Sequence, residues 1–183
     1  MLSENNITCE RVREDGDSSE VMKARPGKIV SINVSKRRGT VKTPVPSAEL
    51  IAGQGIRDDA HVGFGLRQVS LLMIESIELQ KKRFEQAGVS SCGEINGKKV
   101  ELGPGVFAEN FTTRGLDLED VKVGDEFLVA GKIRLRVSQV GKECHTRCAI
   151  YKLAGDCIMP TQGIFCEVLD SGEVKVGDEI ERV

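Results

Sequence analysis

The residues best suited to chemistry lie in GKECHTRCAIYKLAGDCIMPTQGIFCEVL, where four of the six cysteines fall between Cys144 and Cys166. Cys144 directly follows a strand-like stretch ending at Val140, and Lys142, His145 and Arg147 flank it. The thiolate is the reactive form of cysteine, and neighbouring cations favour it. Cys144 is therefore placed to act as a nucleophile, a sulfur carrier or a ligand to a soft metal. A free cysteine is also often a small buried hydrophobe. Polar and basic neighbours favour chemistry for Cys144, whereas Cys166, inside GIFCEVL, reads as core. Cys144, Cys148 and Cys157 with His145 could instead hold zinc, although structural zinc sites prefer two short Cys/His pairs and one is present here.

Other candidates are spread along the chain. His61 lies in GIRDDAHVGFGLRQVSLL, beside Asp58 and Asp59 and among Gly55, Gly63 and Gly65. Such a loop could cradle an anion or cofactor, or simply turn tightly around a structurally bonded histidine. Its spacing matches neither a P-loop nor a dinucleotide fingerprint. Arg67 could grip a phosphate or stand in solvent. Asn110 and Thr112, in PGVFAENFTTRG, could hydrogen-bond the edge of a pterin-like ring or serve as strand-edge residues.

The elements that must position these groups are mostly strands. GKIVSINVS alternates from Gly27, and further strands are predicted at Glu49–Ile56, Arg67–Leu72, Lys98–Leu102, Phe111–Arg114, Glu126–Ala130, Lys132–Val140, Gly163–Leu169 and Asp178–Arg182. In IRLRVSQV, Ile133, Leu135, Val137 and Gln139 share one face and Arg134, Arg136 and Ser138 the other. KRRGTVKTPVP is predicted to be an exposed loop. One helix is predicted from about Ile74 to Ala87, with Glu75 and Glu78 early, Lys81 to Arg83 late and Gly88 as its stop. A short helical turn is expected near Ala149–Ala154. Val121-Lys-Val-Gly-Asp-Glu126 recurs as Val174-Lys-Val-Gly-Asp-Glu179, and both copies read as turns that launch strands. So many strands in succession, with one main helix, argue for a closed or nearly closed β-barrel rather than a βαβ repeat. Residues 1–24, polar and of mixed charge, read as a flexible arm ahead of one domain over residues 25–183.

Composition narrows the function classes. The chain has 183 residues, 39% hydrophobic and 30% charged, with a formal net charge of -2. That balance suits a soluble globular domain and gives no general attraction to nucleic acid. There is no apolar run long enough for a membrane helix, and MLSENNITCE lacks a secretory layout. A cytoplasmic location is expected, with the cysteines kept reduced.

Taken together, GKIVSINVS, GIRDDAHVGFGLRQVSLL, GVFAENFTTRGLDLEDVKVGDEFLV, VSQVGKEC and MPTQGIFCEVLDSGEVKVGDEIE resemble, in that order, the blocks of the MOSC domain. This domain is named for the C-terminal part of molybdenum-cofactor sulfurase. The likeness runs from about Gly27 to Val183 and is to the stand-alone bacterial type. It implies a β-barrel with a cleft, and a cysteine matching Cys144 that carries sulfur or coordinates molybdenum. Where many relatives have Arg-x-Pro-Cys, this chain has Lys142-Glu143-Cys144.

Three functions follow as expectations. The first is a sulfur carrier or molybdenum-cofactor (molybdopterin) binder, with Lys142, Arg147 and Arg67 attracting the anionic cofactor and His61, Asn110 and Thr112 lining its site. Its partners would be molybdenum-cofactor biosynthesis proteins or a cysteine desulfurase. The second is a molybdenum oxidoreductase that reduces N-hydroxylated compounds, and the third is the zinc module. Pyridoxal phosphate, which belongs to a separate domain in relatives, is not expected on this one.

Overall fold

Alternating apolar residues make strands whose two faces differ, and here the strands curl until the two edges meet. The computed structural model describes residues 26–63, 65–88, 90–95, 98–118, 120–143, 151 and 157–183. The expected N-terminal arm lies outside them, as does nearly all of the turn expected near 149–154.

Seven strands form the barrel: β1 (Gly27–Val34), β5 (Val69–Met73), β8 (Phe111–Arg114), β9 (Glu126–Val129), β10 (Ile133–Val140), β11 (Ile164–Val168) and β13 (Glu179–Arg182). Their order around the wall is β1, β13, β9, β10, β11, β5, β8 and back to β1. Every pairing is antiparallel except β5 with β8. A parallel pair needs a long crossover, and α1 (Ile74–Gln86) with the hairpin β6 (Cys92–Ile95) and β7 (Lys98–Glu101) lies within it. Ile74, Ile77 and Phe84 turn the buried face of α1 inward. Closure leaves the seven strands without a free edge.

The short β2 (Thr43–Val45) adds to β1, and β3 (Ser47–Ile51), β4 (Gly55–Ile56) and β12 (Gly172–Lys175) make a separate three-stranded sheet. A four-residue helix, α2 (Met159–Gln162), precedes β11. Among the described residues no helix is long and apolar enough to cross a membrane.

Two buried clusters back the two sides of the wall. One fills the barrel with Ile29, Ile32, Leu71, Phe111, Phe127, Leu135 and others. The second joins Leu72 and Phe165, on the outer side, to Ile77, Phe84, Phe107 and Met159. Leu71 and Leu72 thus point into different clusters, as successive strand residues must.

Both copies of the VKVGDE echo are turns. Asp125 accepts from the Lys122 amide at 2.7 Å, Asp178 from the Lys175 amide at 2.8 Å, and Gly124 and Gly177 share φ of 98°. Three features differ from the sequence reading. Glu49–Ile56 is two short strands, because Ala52, Gly53 and Gln54 turn the chain between them. The β6 and β12 strands were not expected. KRRGTVKTPVP is not wholly an exposed loop: its Thr43–Val45 pairs with β1, and Lys42 is buried. A lysine reads as surface until its buried partner is known.

Candidate functional site

A strand end, a bulge and a tight turn build the cleft that holds Glu143, the residue before Cys144 in sequence. The β10–β11 register shifts between Val137 and Gln139. A bulge of this kind re-aims the side chains beyond it. Ser138, the extra residue, ties the wall together by bonding the Phe165 carbonyl at 3.0 Å and the Leu66 carbonyl. Gln139 then accepts from Arg67 Nε at 2.8 Å and donates through Nε2 to the Gly141 carbonyl at 2.8 Å.

Gly141 has φ of 64°, and a Cβ there would lie 2.3 Å from the Pro160 carbonyl oxygen. Only glycine fits so tight an approach in that conformation. The turn is held further by Gly141 donating to Gly163 at 2.7 Å and Lys142 to Pro160 at 3.2 Å. The resulting cleft, about 480 Å³, is lined by Arg67, Gln139, Val140, Lys142, Glu143 and Pro160.

Arg67 is positioned twice over. Its Nε is spent on Gln139, and its guanidinium carbon lies 5.4 Å from the Phe165 ring centroid. Stacking on a ring leaves the outer nitrogens free to point elsewhere. Among the described residues neither Arg67 Nη nor Lys142 Nζ has a carboxylate partner. Two cations against the one carboxylate of Glu143 leave this largely polar cleft with a net positive lining, which suits an anion.

Cys144, His145, Arg147 and Cys148 lie outside the described residues, immediately beyond Glu143. Cys157 is buried, 8% exposed, in the cluster beneath α1. Cys166 is fully buried in the barrel, where loss of hydration pushes its thiol well above the ordinary range. That is the core role expected of it.

His61 occupies a different setting. Its backbone N–H donates to Asp59 Oδ1 at 3.1 Å, and its Nδ1 lies 3.1 Å from the same oxygen. Asp59 Oδ2 accepts from the Ser35 amide at 3.0 Å and from Lys42 Nζ at 2.5 Å, with both charged side chains wholly buried. Burial would push the Asp59 carboxyl up. The bonds from His61, Lys42 and Ser35 and the Lys42 charge outweigh it and hold the group well below the usual carboxylate range. Asp58, just before it, takes φ of 65°, a conformation that Asp tolerates better than most residues. Asp59 thereby fastens the glycine-rich loop to the end of β1 and to the segment before β2.

Asn110 and Thr112 are spent on buried partners within the barrel wall, on the face Thr112 shares with Leu72, rather than offered to a ligand. Asn110, 2% exposed, accepts from the Ser70 amide and hydroxyl at 3.2 and 3.0 Å and donates to the Asn33 carbonyl at 3.1 Å. Thr112, 0% exposed, accepts from Asn33 Nδ2 at 3.2 Å and donates to Glu109 Oε1 at 2.8 Å. Of the two readings open for them, a ligand's edge or the strand's, these bonds are those of strand-edge residues. They complete the ladder where β8 enters between β5 and β1, and a buried polar group must find such partners.

Glu109, Lys42 and Gln139 carry weight that sequence reasoning missed. Glu109 is fully buried, accepting from the Gly105 amide at 2.6 Å and from Thr112 through Oε1, while Oε2 has no partner among the described residues. Burial raises its carboxyl to about 7 against those opposing bonds. The available signals were an acid inside the apolar run GVFAEN and an amide ending the apolar file Ile133, Leu135, Val137.

The MOSC domain model matches residues 58–181, most of the chain. Among solved structures, the YUAD protein from Bacillus subtilis is 20% identical with a TM-score of 0.67, covering 86% of this chain and 96% of its own. YiiM from Geobacillus stearothermophilus is 23% identical with a TM-score of 0.61, covering 86% and 75%. YiiM from Escherichia coli is 20% identical with a TM-score of 0.57, covering 85% and 69%. At these identities the likeness is one of fold. Among curated proteins none matches.

Proposed function

The chain belongs to the MOSC domain family, linked in general to molybdenum-cofactor proteins, and from that premise we propose that it carries sulfur on Cys144 or binds the molybdenum cofactor through it. The observation that carries this reading is the pair of cations, Arg67 and Lys142, in a cleft whose one acid among the described residues is Glu143, the residue before Cys144. The donor set fits an anionic, phosphate-bearing pterin: guanidinium and ammonium groups with no carboxylate partner, beside the Gln139 amide. When bound, the group would supply a molybdenum centre for oxygen- or sulfur-atom chemistry. Arg67 and Lys142 would hold its anionic end, Arg147 would add charge, and the Cys144 thiolate would be the metal ligand.

In the sulfur-carrying reaction, the Cys144 thiolate attacks the terminal sulfur of a donor persulfide, such as that of a cysteine desulfurase. The new S–S bond forms on Cys144 as the donor's S–S bond breaks. The terminal sulfur transfers at the zero-valent level, with its proton, and the donor sulfur leaves as thiolate. Lys142, two residues away, supports the thiolate form that this attack needs.

Intact-mass measurement after anaerobic incubation with a small-molecule persulfide tests the reading. One extra sulfur per chain, removed by reductant and absent in Cys144→Ser, is expected, with slower loading in Lys142→Leu. Loading that persists in Cys144→Ser would overturn it. The oxidoreductase reading shares this cleft and thiolate, and nothing in the cleft favours it over the carrier.

A further inference from the structure

The segment before β8 meets the segment before β2 at Gly105, and each carries a buried ionisable side chain. Gly105 has φ of 81°, and a Cβ there would lie 2.6 Å from the Lys42 carbonyl oxygen. Its carbonyl accepts from the Lys42 amide at 2.8 Å, and its own amide donates to Glu109 Oε1 at 2.6 Å. Ala108, next to Glu109, takes φ of 65°, which costs any residue with a Cβ. The turn from Gly103 to Glu109 thus stores strain, and a buried carboxyl helps to close it.

One ammonium serves two carboxyls in this region. Lys42 and Asp59 are paired with both side chains wholly buried, and Glu109, wholly buried too, lies within reach of the Lys42 charge. Asp59 Oδ2 bonds the ammonium directly, whereas Glu109 Oε2 has no partner among the described residues. His61 is the other titratable neighbour, with Nδ1 on Asp59 Oδ1 and a side chain 23% exposed. The remaining groups are neutral: Asn33 and Ser35 at the end of β1, Thr112 on β8, and a buried face of α1 that includes Ser76 and Gln80 but no charge. While Glu109 keeps its proton, Lys42 and Asp59 balance. Loss of that proton to solvent leaves a net negative charge sealed from water, which is costly unless a cation approaches. Burial places this loss at about 7. Lys42 is the one buried Lys or Arg among the described residues, and its flexible stem lets the ammonium turn between acceptors.

We propose that Lys42 is a pH-dependent tether: it fastens Asp59 while Glu109 is protonated and turns toward Glu109 Oε2 when Glu109 ionises, slackening the loop that carries Asp59 and His61. The loop keeps its backbone bonds from Ala60 to Ser35 and from Gly63 to Gln54, both at 2.8 Å, so it loosens rather than unfolds. None of these groups lines the cleft of Arg67 and Lys142, and the tether does not depend on what Cys144 carries.

NMR of the full chain from about pH 5.5 to about pH 8.5 tests the tether. The Gly105 amide reports on Glu109, the Ser35 amide on Asp59 Oδ2, the Lys42 Cε carbon on the ammonium, and the His61 ring on itself. Gly105, Ser35 and Lys42 should shift with one midpoint. Exchange of the Ala60 and Gly63 amides, corrected for its intrinsic rise with pH, should speed up about three- to tenfold across that midpoint. In Glu109→Gln the Ser35 and Lys42 steps and the faster exchange should vanish, leaving only shifts that follow the His61 ring. Thr112→Val removes a donor that favours the ionised carboxyl, so the Gly105 and Ser35 steps should move together to higher pH. That variant keeps the test open should Glu109→Gln fail to fold. A loop step that follows the His61 ring instead of Gly105, a Lys42 step that survives in Glu109→Gln, or loop exchange unchanged across the Gly105 midpoint would overturn the proposal.

Discussion

At Glu109 a carboxyl sits wholly out of water with one oxygen bonded and the other without a partner among the described residues. Asp59, by contrast, is buried yet satisfied, and Lys42 gives it a full opposite charge. Burying a carboxylate costs little when it is paired and much when it is not. The difference has a measurable sign. Below about 4.5 the folded and unfolded chains both keep the Glu109 proton; from there to about 7 the unfolded chain releases it while the folded chain retains it. Stability therefore falls across that window as pH rises. Glu109→Gln, which copies the protonated acid, should abolish this loss. Relative to the wild type, the variant should gain about 2 to 3 kcal/mol between pH 4.5 and 7, several degrees in Tm by calorimetry.

At the scale of elements, the turn after β10 decides where the cleft-forming residues go. The bulge at Ser138 sends Gln139 toward Arg67, and Gly141 then reverses the chain against α2. Gly131, in the turn before β10, shares the left-handed conformation with φ of 66° but has nothing near its Cβ position, unlike Gly141. Gly131→Ala should cost about 1 kcal/mol for the conformation alone. Gly141→Ala must also move the Pro160 carbonyl and should cost about 2 to 4 kcal/mol, since overpacking adds to that strain. Urea unfolding of the two variants separates the two terms. An equal loss in both would mean that α2 yields freely and that the turn does not fix Lys142.

For the whole molecule, closure of the barrel is the decisive event. β13 lies between β9 and β1, so Ile180 faces Val129 on one side and Gly27 on the other. It is fully buried, whereas Val183 is 64% exposed. Ile180→Ala should lose about 2 to 5 kcal/mol by opening a cavity at the seam. Val183→Ala should lose less than about 0.5 kcal/mol. The fall in urea midpoint, at unchanged slope, checks both. The seam joins the first described strand to the last one, and the cleft loses its walls if it parts.

Local alternation and turn chemistry were enough, in the sequence alone, to place β1, α1, β8, β10 and both VKVGDE turns, because these signals need no distant partner. The ordered blocks made the family resemblance legible for the same reason. Tertiary structure alone decided that Lys42 and Asp59 form a buried pair, that Asn110 and Thr112 find buried partners within the wall, and that Gln139 joins Arg67 to the turn before Cys144. Each of those depends on groups far apart in the chain, Arg67 and Gln139 being 72 residues apart. A polar side chain carries no mark of its partner until closure brings the two together.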